Sequence, residues 1–335
     1  MSVIWLAPGS FLKKTCVPAA TLFAVALCGC SRLEVKLGWR VDIAKLPVAS
    51  MDARLQGDPG VAPGERSPLI VTLLQPDGTV LTTTGAGKGK VRWSDLVVAA
   101  TTVSVNKKGV VSLAHDPRVS DGKMGHVTIT VPSHPELHVD LDVPVRYDYA
   151  FAANFSGSNG TNGLNGTDGT SGSNGSMGSM DPNNPSAGGD GGNGTDGGDG
   201  GNGSDGGDGP NVQVFLRLRS GTKPLLQASV QAAGHKQWFY LVDPQGGSLT
   251  VSSAGGSGGA AGKGGRGGSG GSGGMGSPPG NSGMAGHDGL DGHAGSDGSP
   301  GTITVTYDPS AQPYLSALHV SKSASLKEAP VQALW

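Results

Sequence analysis

The chain has little of what most enzymes are built from. Aromatic residues make up 5% of its 335 positions, too few for a large aromatic core. Its three cysteines, Cys16, Cys28 and Cys30, all precede residue 31. If that stretch is processed, nothing downstream can form a disulfide, a thiolate metal site or a cysteine nucleophile. A net charge of −2 with no basic stretch excludes the electrostatic footprint of a nucleic-acid binder. No window shows the 3.6-residue apolar period of an amphipathic helix. No loop matches a phosphate-binding Walker pattern. What is abundant is glycine: 60 residues, concentrated at 157–209 and 255–301.

The first 29 residues read as a targeting segment and 30–50 as an anchor and lead. Lys13 and Lys14 form a positive n-region, and residues 17–27 an apolar h-region too short to span a bilayer as a helix. The stretch ends in Leu27-Cys28-Gly29-Cys30-Ser31, which resembles the lipobox of bacterial lipoproteins. That resemblance implies lipidation of Cys30 and a membrane partner through the lipid. Ser31, in place of Asp, implies sorting to the outer membrane. At roughly 0.8 kcal/mol per buried methylene, such an anchor is effectively permanent.

Downstream the pattern is β throughout. Leu33, Val35, Leu37 and Trp39 alternate with polar or small residues and predict a half-buried strand. Residues 51–153 carry short alternating strands with turn residues between them, such as Gln75-Pro-Asp-Gly78 and Asn106-Lys-Lys-Gly109. Trp93-Ser94, residues 103–112 and residues 125–131 resemble a bacterial immunoglobulin-like module. The resemblance implies a β-sandwich spacer or adhesion module without catalytic residues. A second, split β-domain is expected at 212–254 and 302–321, with a tail at 322–335. Tyr314 to Val320 is its candidate last strand.

Between these parts, residues 154–211 and 255–301 hold glycine at every third position in four runs of 22: 157–178, 188–209, 255–276 and 280–301. A single in-frame exception is Ala261. Three architectures are open. A collagen-like homotrimer needs glycine at its axis and imino acids elsewhere, but Pro300 is the one proline within the runs. A flexible linker needs no strict frame. An intramolecular bundle of polyproline II rods puts every third side chain on one edge, where glycine lets backbones approach and bond. This third reading resembles the glycine-rich tips of phage tail-fibre adhesins. It gives rods of about 65 Å at ~3.1 Å per residue. Runs two and three carry a second glycine in most or all triplets, so they are expected to be the inner pair of a rhombic four-rod bundle. The expected fold is therefore all-β: an immunoglobulin-like sandwich plus a small split β-domain carrying four glycine-rich rods.

Candidate sites are few. Asp190, Asp196, Asp199, Asp205 and Asp208 line one edge of run two. Residues 191–196 and 200–205 match the first six positions of a calcium-binding nonapeptide. Calcium is thus the one cofactor in view, against the plainer reading of a solvated charged edge. Gly255-Gly-Ser-Gly-Gly259 fits the hydrolase elbow G-x-S-x-G only formally, since low complexity repeats it. His134 and His138 are separated by Pro135, which opposes a shared helical face. No catalytic residue is assigned, and an enzyme is not expected. Both turns between runs fall at one end, so Met180, Asp181, Asn183, Asn184, Pro278 and Pro279 are candidate contacts for an extracellular or cell-envelope ligand. The expected role is structural or adhesive.

Overall fold

A computed structural model describes residues 34–335 except Lys36, Ser220 and Thr222. The targeting segment and Cys30 lie outside the described residues. The fold is all-β. Helical geometry among the described residues is confined to one turn at Glu34 and Val35 and to short 3-10 segments. None of these is long and apolar enough to cross a membrane. The chain divides into two compact units, with the boundary between Arg146 and Tyr147 and a short excursion at Asp116–Arg118.

The first unit contains β1 (Ser50–Leu55), β2 (Arg66–Leu74), β3 (Val80–Thr82), β4 (Val97–Thr101), β5 (Val103–Val105), β6 (Val110–Leu113), β7 (Gly125–Val131) and β8 (His134–Val143). One sheet runs β1-β2-β6-β5 with β3 also on β2, and the other runs β4-β7-β8. Alternation decides which residues meet. Leu69, Val71 and Leu73 on β2 and Val127, Ile129 and Val131 on β7 are fully buried in one cluster, while their neighbours along each strand are partly solvated. Gly109 closes the β5–β6 hairpin at φ 71°, and a Cβ there would lie 2.0 Å from the Trp93 ring. Turn geometry and packing both require glycine at that position.

The lead segment departs from the sequence expectation. Glu34 and Val35 form a helical turn and residues 37–40 a loop, with Trp39 and Arg40 amides both donating to Glu34 O, while Leu33 lies outside the described residues. Leu37 and Trp39 are exposed, not half-buried on a strand. Alternation alone cannot make a strand where no neighbouring strand accepts its backbone bonds.

The second unit contains β9 (Ala150–Ser156), β10 (Val212–Arg219), β11 (Leu225–Ala232), β12 (Trp238–Val242), β13 (Ser248–Ala254), β14 (Ile303–Tyr307), β15 (Leu318–His319) and β16 (Ser325–Glu328). Its sheets run β12-β11-β10-β14-β16 and β15-β13-β9. Phe151 and Tyr240 join them edge to face, with ring centroids 6.0 Å apart. Three differences from expectation stand out. β9 straddles the expected boundary at 153 and belongs here, paired in parallel with β13. Residues 309–317 form a 3-10 segment, with Asp308 capping Ser310 N and prolines at 309 and 313, so only two residues of the expected last strand are extended. The tail supplies β16, parallel to β14 and exposed along its length.

The glycine runs continue these parallel strand pairs without a change of register. β9 faces β13 with partners 98 residues apart. The same offset relates Asn159 to Ser257 and Asn174 to Ser272 in runs one and three. β10 faces β14 at an offset of 91, and so do Asp190 and Asn281 at the far end of runs two and four. Each strand pair and its pair of runs form one ladder.

Candidate functional site

The most distinctive structure in the molecule is the four-run array, and its unit is a layer one triplet thick. Gly289 N donates to Gly265 O at 2.8 Å, Gly265 N to Gly198 O at 2.8 Å, and Gly198 N to Thr167 O at 2.8 Å. This chain of bonds crosses all four runs and repeats in the next triplet as Gly292, Gly262, Gly201 and Leu164. Runs two and three each bond to all three other runs. Runs one and four each bond to the two inner runs and, among the described residues, not to each other. In run three the second glycine of every triplet, such as Gly265, is buried.

First-position glycines are where the backbones touch. A Cβ on Gly197 would lie 2.2 Å from Gly265 O, and one on Gly289 would lie 2.1 Å from Gly198 O. These contacts are to backbone, which cannot swing aside as a side chain can. Second-position glycines of run two are looser: a Cβ on Gly198 would lie 3.2 Å from Thr167 Oγ1. At two triplets this place holds a hydroxyl residue. Thr195 Oγ1 accepts from Thr170 N, and Ser204 Oγ from Thr161 N, each at 2.8 Å. Ala261 of run three falls, by the register of the bonds on either side, opposite Ala294. Ala294 offers the Ala261 amide no side-chain acceptor of the kind Asp297 and Asp291 give Gly258 and Gly264, and nothing in the structure explains the methyl at 261.

The third position gives the aspartates a role that the sequence did not disclose. Asp190, Asp196, Asp199, Asp205 and Asp208 are exposed, as a solvated edge would be, but they also serve as acceptors. Each places Oδ1 on a main-chain amide of run four, at 2.6–2.7 Å. Asn193 and Asn202 do the same at 2.8 Å, so charge is not what the position selects. The following glycine completes a clamp on the same residue: His287 N donates to Asp196 Oδ1 and His287 O accepts from Gly197 N. Run one clamps run three in the same way through Asn159, Asn162, Asn165, Asp168 and Asn174. With no internal backbone bonds in an extended segment, these side chains supply acceptors that amides on an array surface would otherwise seek from water. Among the described residues no three His, Cys, Asp or Glu side chains gather as a metal site would.

Asp291 carries a further interaction. Its Oδ2 accepts from Lys263 Nζ at 2.7 Å and its Oδ1 from Gly264 N at 2.9 Å. The Lys263 bond first, and the amide second, hold its carboxyl below the usual carboxylate range. Outside the array, His126 on β7 lies between Asp142 (3.0 Å) and Asp140 (3.4 Å) on β8. The Asp142 bond is the main cause raising its pKa. His134 Nε2 instead pairs with Ile43 O, so it is not directed to a shared site with His138.

The two turns between runs meet at one end. Ser277 N donates to Ser186 O at 2.9 Å, and Gly188 N to Pro278 O at 3.0 Å. Asp181 organises the first turn by accepting from Asn183 N and, through its carbonyl, from Asn184 N. Met180 is 69% exposed there. Met177 and Met275, absent from the contact candidates expected from sequence, are 79% and 63% exposed near this end; Met275 O accepts from Gly178 N. Four of the seven methionines (177, 180, 275 and 284) thus fall in or near this end, a clustering that was countable from the sequence.

Comparison with protein-family models finds no match, and comparisons with curated proteins and with solved structures likewise find none.

Proposed function

We propose that this chain is a lipid-anchored, non-enzymatic outer-membrane lipoprotein that holds out a stiff glycine-rich bundle for contact at its far end. In this reading the first unit is an immunoglobulin-like spacer, and the four runs are polyproline II rods. The observation that carries it is the bond between the two turns, Ser277 to Ser186 and Gly188 to Pro278, at the end opposite the sheets. A bundle whose two turns are tied into one tip presents Met177, Met180 and Met275 on a fixed platform. Flexible thioether side chains exposed on a rigid frame suit adaptable apolar contact. The bonding supports a single-chain bundle over a collagen-like trimer, because the first-position amides are engaged within the chain. Engagement of the run-two carboxylates by amides accounts for their spacing without calcium.

Two experiments test this. Expressed in a bacterium with a lipid-modification pathway, the full chain should take up labelled fatty acid and fractionate with the outer membrane. Cys30→Ala should do neither; labelling that persists in that variant refutes the anchor. For the tip, the purified chain should adsorb to isolated cell-envelope fragments. Met180→Glu with Met275→Glu should abolish adsorption while leaving the thermal melt unchanged. Equal adsorption by the double variant refutes a contact role for the tip.

A further inference from the structure

The runs contain six Asn-Gly pairs: 159–160, 162–163, 165–166, 174–175, 193–194 and 202–203. In a pliant chain this dipeptide is the most labile asparagine context, because glycine offers no side chain to hinder its own amide nitrogen. That nitrogen attacks the preceding Asn Cγ, the Cγ–N bond breaks and ammonia leaves. Water then opens the resulting succinimide to aspartate or isoaspartate. Asparagine is accordingly counted among the thermolabile residues.

Both reacting groups are held at every one of the six. The glycine nitrogens donate to carbonyls of a neighbouring run: Gly160 to Ser257, Gly163 to Ala260, Gly166 to Lys263, Gly175 to Ser272, Gly194 to Met284 and Gly203 to His293, at 2.7–2.9 Å. The asparagine Oδ1 atoms accept from the amides of those same six residues, at 2.8–3.1 Å. The nucleophile therefore points across to another run. The electrophile is anchored by its own oxygen to the far side of the same clamp. Attack requires breaking both bonds and turning Cγ back over its own main chain, which the extended backbone and the neighbouring run oppose.

We infer that these six pairs are latent deamidation sites which the four-run array keeps inert and which become reactive only when it opens. The two products differ in consequence. Aspartate restores the same acceptor, as Asp168 and Asp196 already show in equivalent places at 2.8 and 2.6 Å. Isoaspartate inserts a methylene into the main chain and shifts everything beyond it out of register. Time spent open thus converts into chains that cannot close again.

The test uses the full mature chain, incubated at mildly alkaline pH either folded or held unfolded in guanidinium, with peptide mapping that separates aspartate from isoaspartate. All six sites should deamidate in the unfolded sample. In the folded sample each should be slower by about tenfold or more, since reaction must await local opening. Chains aged unfolded should lose refolding yield in proportion to their isoaspartate. Asn202→Asp should melt like the parent, whereas Asn202→Ala should melt lower. Folded-state deamidation at the unfolded rate, with the far-UV signal intact, overturns the inference. An Asn202→Asp variant that melts as low as Asn202→Ala overturns the claim that aspartate is silent.

Discussion

Asn211 Oδ1 accepts from both the amide and the hydroxyl of Thr302, at 3.1 and 2.6 Å, while Val212 N donates to Thr302 O at 2.8 Å. This pair sits where strand becomes run. On one side lie Val212 and Ile303, the first partners of a parallel strand pair; on the other, Asp208 already clamps Ser299. A glycine-rich run has almost no side-chain pattern of its own to fix its alignment. The strands do, because a one-residue slip would turn Val212, Val214 and Leu216 out of the core. Register is set in the sheets and handed along the runs.

Adjacent glycines should respond oppositely to a side chain. Gly197→Ala brings its methyl 2.2 Å from Gly265 O and should destabilise by about 2–3 kcal/mol, as overpacking against an unyielding wall does. Gly198→Ser places a hydroxyl where Thr195 and Ser204 have theirs, and should change stability by about 0.5 kcal/mol or less. Denaturant melts of the two variants check this; equal losses would mean that the runs do not pack by layers.

At Asp196 the acceptor matters and the charge does not. Asp196→Asn should leave the midpoint nearly unchanged. Asp196→Ala strands the His287 amide and should cost about 1 kcal/mol. Added calcium and added chelator should both leave the melts where they were; a calcium-raised midpoint in the parent that Asp196→Asn abolishes would reinstate a metal role.

Two groups should titrate away from their ordinary values. His126 should lose its proton at higher pH than a free histidine, by NMR, and Asp142→Asn should bring it back down. A raised folded pKa means that its contribution is present below the unfolded value and fades as pH rises through the folded one. Asp291 behaves in the opposite sense. Its lowered pKa gives a contribution present above the unfolded carboxylate value and lost as pH falls through the folded one; Lys263→Met should move that titration upward. Unshifted titrations would mean that neither pair forms.

The strands of the first unit were legible because one face of each is buried, which writes period two into the sequence, as along β7. The glycine frame was legible too, since a first-position Cβ would meet backbone at about 2 Å, and Ala261 is the one in-frame departure from glycine. The third position was not. Asp and Asn on an outward edge look solvated until the partner run is known, and that partner lies 91 or 98 residues away with no local signal. β9 escaped full assignment for the same reason: its parallel partner is β13. β16 carries no apolar alternation and is exposed throughout, so nothing in Ser325–Glu328 marks it as a strand.

Residue-resolved amide hydrogen exchange on residues 31–335 tests the array most directly. First-position amides such as Gly160, Gly194 and Gly289 should be protected together, with a common opening free energy. Third-position amides of run four, such as Ser282 and Asp288, should exchange freely beside them. In run four the first- and second-position amides should be protected and the third should exchange, a pattern recurring at every triplet; uniform exchange at unfolded-chain rates across 157–301 would contradict the account.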